Sequence, residues 1–172
     1  MNEKIRNILN EQIKEEFYSA YFYLALAAKL EKLNLRGMAN WLYIQAKEEN
    51  DHALGLFKFL VERGEEPELL ALAQPAMSGI KTASDIFQAG LKHERYITTR
   101  IYGILEAARE AKDYALESFI KWYIDEQVEE EAQATEIIEK LKLIGQDGSA
   151  LYLLDQELAK RTYLPSGPYA AA

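Results

Sequence analysis

Apolar residues recur at intervals of three and four along most of the chain. That is the period of amphipathic helices, and no stretch alternates as a half-buried strand does. The pattern predicts helices over about residues 4–33, 38–63, 84–111 and 114–144, and a short fifth over about 150–161. Asn34 and Gly37 are expected to break the first pair. Ser84-Asp85 offers an N-cap to the third helix, Asp113 to the fourth and Ser149 to the fifth, and Gly145 stops the fourth. Between residues 64 and 83 the period is lost, and Pro67, Pro75 and Gly79 mark a long connection. Residues 162–172 carry Pro165, Gly167 and Pro168 and read as an irregular tail after a single domain over 1–161.

Two short turns and one long connection imply an all-α four-helix bundle with a short fifth C-terminal helix. Helices 1 and 2 form one antiparallel hairpin, and helices 3 and 4 form another. A helix of about 28 residues is about 42 Å long. A connection of about 18 residues reaches about 60 Å when extended. It can cross the bundle end to end and leave helices 2 and 3 parallel.

Each helix has a seam of apolar residues at alternating steps of four and three, and each seam is interrupted in its middle by acids or amides. The interruptions are Glu16 in helix 1, Gln45, Glu49 and His52 in helix 2, Glu94 in helix 3, and Gln127 and Glu130 in helix 4. Their spacing repeats. Glu16 and Glu49 are 33 residues apart, as are Glu94 and Gln127. The i, i+3 pair Glu49/His52 is matched by Gln127/Glu130, and each member of the first set precedes its counterpart by 78 residues. The midpoints fall at the two turns. Residues equidistant from a hairpin turn face each other, so the six related by this repeat, Glu16, Glu49, His52, Glu94, Gln127 and Glu130, are expected in one layer of the core.

Charge and composition sharpen this picture. The 172 residues carry a net charge of −8, which suits cations and opposes nucleic-acid phosphates. There is no cysteine, so thiolate metal sites, disulfides and cysteine nucleophiles are excluded. Two histidines, His52 and His93, cannot build a multi-histidine centre in one chain. No apolar run approaches the ~20 residues of a membrane span, and no signal-peptide pattern opens the sequence, so a cytoplasmic protein is expected.

A lone polar seam residue commonly just fixes register. Four acids in one buried layer repel one another, and each costs several kcal/mol (roughly) to desolvate when charged. No Lys or Arg interrupts the seams to pair with them. Such carboxylates need a metal or stay protonated. Four carboxylates and one imidazole balance two divalent cations, and mixed oxygen and nitrogen donors suit iron, manganese or zinc better than calcium.

The segments Glu16-Phe17-Tyr18-Ser19-Ala20, Glu48-Glu49-Asn50-Asp51-His52-Ala53, Lys92-His93-Glu94 and Trp122 through Glu131 resemble those of non-haem ferritins of the bacterial and archaeal type. The resemblance covers about residues 4–161 and implies the ferritin-like di-iron bundle. It implies Fe(II) oxidation by dioxygen or hydrogen peroxide at a dinuclear ferroxidase centre. It also implies storage of Fe(III) mineral inside a homo-oligomeric shell, usually of 24 subunits. Carried over residue by residue, it makes Glu16, Glu49 and His52 ligands of the first iron. Glu94 and Glu130 become ligands of the second, with Glu49 bridging. Gln127 is a polar neighbour, Tyr23 a tyrosine near the irons, and Glu48, Glu126 and Glu129 an accessory third iron site.

Other features set expectations against that background. Tyr23 serves packing and a hydrogen bond as readily as redox chemistry. His93 points about 100° away from Glu94 on its helix and is read as a non-ligand. Trp122 is read as core. Asn50 stands where bacterioferritins place a haem-ligating methionine, so no haem is expected. Glu130 stands where several di-iron proteins have a second histidine. The alternative activity is a di-metal peroxide-reducing protein without mineral storage. A purely structural bundle is the third reading, and it makes the mid-seam acids dispensable.

Overall fold

The computed structural model describes residues 1–169 and contains five helices. They are α1 (Glu3–Lys32), α2 (Arg36–Glu62), α3 (Ala83–Glu110), α4 (Tyr114–Ile144) and α5 (Gly148–Leu158). Residues 170–172, the end of the expected irregular tail, lie outside the described residues. The rest of that tail, from 162 to 169, has no helix or strand.

Local chemistry sets the boundaries. The Asn2 side chain accepts from Ile5 N at 2.8 Å and starts α1, whose last turn carries Lys29 and Lys32 beside its negative end. Asn34 takes φ 60° and turns the chain into α2. Gly37, expected as a second breaker, lies inside α2. It is small for a packing reason: a Cβ there would sit 1.7 Å from the Asp155 carbonyl oxygen of α5. The cap of α3 is Thr82 rather than Ser84-Asp85. Asp85 occupies the third helical position and returns a bond from Thr82 N at 2.9 Å, completing a capping box. Asp113 caps α4 as expected, accepting from Leu116 N. Gly145, at φ 58°, ends it. The cap of α5 is Asp147, not Ser149, whose own N–H donates to it.

Helices α2 and α3 run parallel, as the crossover length requires. Two apolar clusters show the alignment. One unites the end of α1 (Leu26, Leu30), the start of α2 (Met38, Leu42), the start of α3 (Ile86, Phe87) and the end of α4 (Ile137, Leu141). The other unites Leu9 and Ile13 of α1, Leu56 and Leu60 of α2, Ile101 and Ile104 of α3, and Leu116 and Ile120 of α4. The crossover lies along α1 between them. Asn10 Oδ1 accepts from Glu68 N near one end, and Lys29 Nζ donates to Ile80 O near the other. Arg63 at the end of α2 grips Asp113 with two bonds of 3.0 Å and pins the second turn beside the exit of α2.

Fully burying each Leu or Ile contributes roughly 1.5–3 kcal/mol. The two clusters therefore hold the helices together from both ends, and the layer between them is free to be polar. That layer is where the seam interruptions meet.

Candidate metal centre

Antiparallel pairing brings Glu16, Glu49, His52, Glu94, Gln127 and Glu130 into the core, each at 6% exposure or less. Donor atoms of Glu16, Glu49 and His52 lie within 4.8 Å of one another. Those of Glu49, Glu94 and Glu130 do the same. Two three-donor seats thus stand side by side and share Glu49. A third grouping, His52, Glu126 and Glu130, opens from the second histidine face toward the half-buried Glu126.

Carboxamides organise the carboxylates. Gln12 Nε2 donates to Glu16 Oε1 at 2.8 Å. Gln45 Nε2 donates to Glu49 Oε1 at 3.0 Å and to Glu130 Oε1 at 2.7 Å. Gln127 Nε2 donates to Glu94 Oε2 at 3.1 Å and to the Glu94 carbonyl at 3.2 Å. The Tyr23 hydroxyl donates to Glu94 Oε1. After these bonds Glu16 Oε2 and Glu130 Oε2 remain buried without a partner. An unpaired buried oxygen is costly, and a cation in each seat would satisfy the one that belongs to it.

The electrostatics point the same way. Burial first, and the neighbouring Glu49 charge second, raise the Glu16 carboxyl from 4.5 to about 8. Burial, followed by the Glu94 charge, lifts Glu49 and Glu130 well above the ordinary carboxylate range. These groups hold protons until a cation replaces them. Burial, with Glu94 next, likewise keeps the Tyr23 phenol protonated and donating. The donors are carboxylate oxygens and an imidazole, a set that fits iron and related first-row ions.

Beside Tyr23, Glu94, Glu130 and Gln45 lies a cavity of about 10 Å³, walled otherwise by Trp41, Leu42, Ile86, Phe87, Gly90 and Ala134. That volume admits one water-sized molecule.

Of the expected accessory residues only Glu126 joins a donor group, with His52 and Glu130, while Glu48 and Glu129 join none. Glu48, Glu126 and Glu129 feel one another's charge, but Glu48 is bound by Arg161 and Glu129 by Gln133. His93 turns to Ser19 Oγ at 2.7 Å within an aromatic cage that includes Phe22 and Tyr18, and belongs to none of the donor groups. The Trp122 ring packs edge-on against His52 at 5.3 Å.

A family profile described as a ferritin-like domain matches residues 6–144. The chain belongs to the ferritin-like family. It is 37% identical over 163 residues to the bacterial non-heme ferritin of Staphylococcus aureus, covering 95% of this chain and 98% of that one. It is 38% identical to the Staphylococcus saprophyticus protein of the same name, covering 95% and 97%. Among solved structures, the open pore ferritin of the archaeon Archaeoglobus fulgidus superposes with a TM-score of 0.91 at 42% identity, covering 94% of this chain and 98% of that chain. An engineered closed form of the Archaeoglobus ferritin gives 0.92, covering 95% and 99%. The ferritin-like bundle expected from the sequence is thus the fold. Iron storage with ferroxidase activity follows from this membership and is favoured over peroxide reduction without storage.

Several polar residues around the centre were given no role in the sequence reading. Gln12 and Gln45 each precede a ligand-type glutamate by four residues, so the spacing was available. Each amide is oriented by an arginine: Arg100 Nε donates to Gln12 Oε1 at 2.8 Å and Arg161 Nη1 to Gln45 Oε1 at 3.1 Å. Ser166 also reaches the layer, with Oγ 3.3 Å from His52 Nε2. No spacing signalled Arg161 or Ser166.

Proposed function

We propose that two Fe(II) ions, as substrate, occupy the two seats that share Glu49. Glu16, Glu49 and His52 hold one ion, and Glu49, Glu94 and Glu130 hold the other. The observation that carries this reading is the pair of adjacent three-donor seats with two unpartnered buried oxygens, Glu16 Oε2 and Glu130 Oε2.

Each ion that binds expels protons from carboxyls that burial has kept neutral. Carboxylate donors stabilise Fe(III) more than Fe(II), so the seats favour oxidation. Two Fe(II) ions give one electron each: dioxygen takes both with two protons and leaves as hydrogen peroxide. Hydrogen peroxide as oxidant takes both with two protons and leaves as two waters. Tyr23 holds Glu94, Gln45 ties Glu49 to Glu130, and Gln12 holds Glu16, so the seats keep their spacing through turnover.

In this reading Fe(III) moves to a mineral inside a shell of 24 copies. The apolar side chains of Leu143, Tyr152 and Leu153, which are 62–89% exposed in one chain, support burial between copies. Glu48, Glu126 and Glu129 take a third iron on the way out. No haem is used: Asn50 follows the shared glutamate, and its amide is engaged with Ala46 O at 2.8 Å. No helix among the described residues is long and apolar enough to cross a membrane, in keeping with work in the cytoplasm.

Aerobic stopped-flow mixing with Fe(II) tests the assignment. The native chain should develop ferric absorbance rapidly, and Glu49→Gln should lose the fast phase because both seats lose their shared carboxylate charge. An unimpaired fast phase in Glu49→Gln defeats the assignment.

A further inference from the structure

Residues 161–169 follow α5 back over α2 along one stripe of that helix. Arg161 engages Trp41, Gln45 and Glu48; Tyr163 and Ser166 engage Asp51; Tyr169 engages Glu62, and Lys58 lies over its ring at 4.1 Å. The contacted positions 48, 51, 55, 58 and 62 step by three and four, so the segment lies along a single helix face. Asn40 Nδ2 donates to the Arg161 carbonyl at 3.1 Å and fixes where this strap begins.

Arg161 is the one charged residue of the strap. Its Nη2 pairs with Glu48, its Nη1 donates to Trp41 O at 3.2 Å and to Gln45 Oε1, and its guanidinium lies 4.2 Å over the Trp41 ring. Both ends of the ion pair are mostly shielded, at 19% and 15% side-chain exposure. Asp51, Glu129 and Glu126 surround Glu48 with like charge, and Arg161 offsets them.

We propose that Arg161 is a built-in cation at the accessory acidic corner, competing with a metal ion for Glu48, so that the strap sets how readily a third ion is taken up. The proposal rests on the accessory-site reading given above. A guanidinium within hydrogen-bond reach of Glu48 and a divalent ion on the same carboxylate repel each other at short range. Binding there displaces Arg161, and its release also frees Gln45 Oε1, whose amide end touches Glu49 and Glu130. Arg161 is thus a positioning residue that acts through Glu48 and Gln45 and touches neither dinuclear seat.

Calorimetric titration of the metal-free full chain with Zn(II), which is redox-inert, separates the classes of site. Arg161→Ala should strengthen the weaker class by about tenfold, the scale of one charge-assisted hydrogen bond. Arg161→Lys keeps the charge and should stay near the native weak affinity. Adding Glu48→Gln to Arg161→Ala should abolish the gain. An unchanged or weakened weak class in Arg161→Ala overturns the proposal, as does a gain that survives Glu48→Gln or a lysine variant that behaves like alanine. Glu49→Gln in the same titration checks the tight class by itself, so the dinuclear reading and this one fail separately.

Discussion

Asp155 caps α2 from a position 117 residues beyond the donor: its Oδ1 accepts the Met38 backbone N–H at 2.8 Å. Leu35, the residue at the cap position of α2, supplies no side-chain bond. The orphan donor in the first turn is satisfied by α5, and Gly37 lets the two backbones close on each other. Asp155→Ala should therefore cost about 1–2 kcal/mol, the usual loss of an N-cap. Thermal unfolding of the variant measures this. Gly37→Ala should cost more, because its Cβ meets backbone rather than a movable side chain. Equal midpoints for native and Asp155→Ala proteins defeat the capping role.

Stability of the metal-free chain should depend on pH in a direction fixed by the centre. Glu16 titrates near 4.5 when unfolded and at about 8 when folded. Between those values the folded state holds more protons than the unfolded state. Stability contributed by this group therefore falls as pH rises from 4.5 through 8. Burial and the Glu94 charge push Glu49 and Glu130 the same way. Denaturant midpoints of metal-free protein should drop across this window, Glu16→Gln should flatten the drop, and saturating Zn(II) should reverse it. A flat native profile contradicts the protonated centre.

The small cavity beside Tyr23 and Glu94 is kept open partly by Ala134. Ala134→Leu fills it at a packing cost of about 1–3 kcal/mol. If this space admits the oxidant, the variant should bind Zn(II) as the native chain does while single-turnover Fe(II) oxidation slows. Native oxidation rates in a folded, metal-binding variant exclude that use of the cavity.

Leu153 of α5 is 68% exposed, and Leu143 near the end of α4 is 89% exposed. Leu153→Asp places a charge where burial between copies is expected. Light scattering should then report a smaller assembled mass with unchanged helix content. Full-size particles from Leu153→Asp rule out an apolar contact at this position.

The buried polar layer was legible because its information is local and periodic. A seam interrupted at Glu16 and at Glu49 fixes a facing pair once the turn between them is known, and the 78-residue offset repeats the construction. The bundle followed from the same period. The cap at Asp113 was legible, those of α3 and α5 were misplaced by two residues because several capping-type residues cluster at Thr82–Asp85 and Asp147–Ser149, and the cap that α5 supplies to α2 was illegible. Gly37 read as a breaker because sequence shows flexibility and hides contact. Arg161 and Ser166 were illegible for a further reason. They lie in a segment without period and touch partners more than 110 residues away. Gln12 and Gln45 stood at readable spacings, but an amide carries no charge to mark it as part of a site.

The repeat that relates the two hairpins is imperfect at two of its three points. Position 52 is a histidine matched 78 residues on by Glu130, and Glu49 is matched by Gln127. An exact repeat would furnish two identical lodgings. Here a ring nitrogen stands in one donor group and only carboxylates in the other, so guests of the same kind meet unequal hosts.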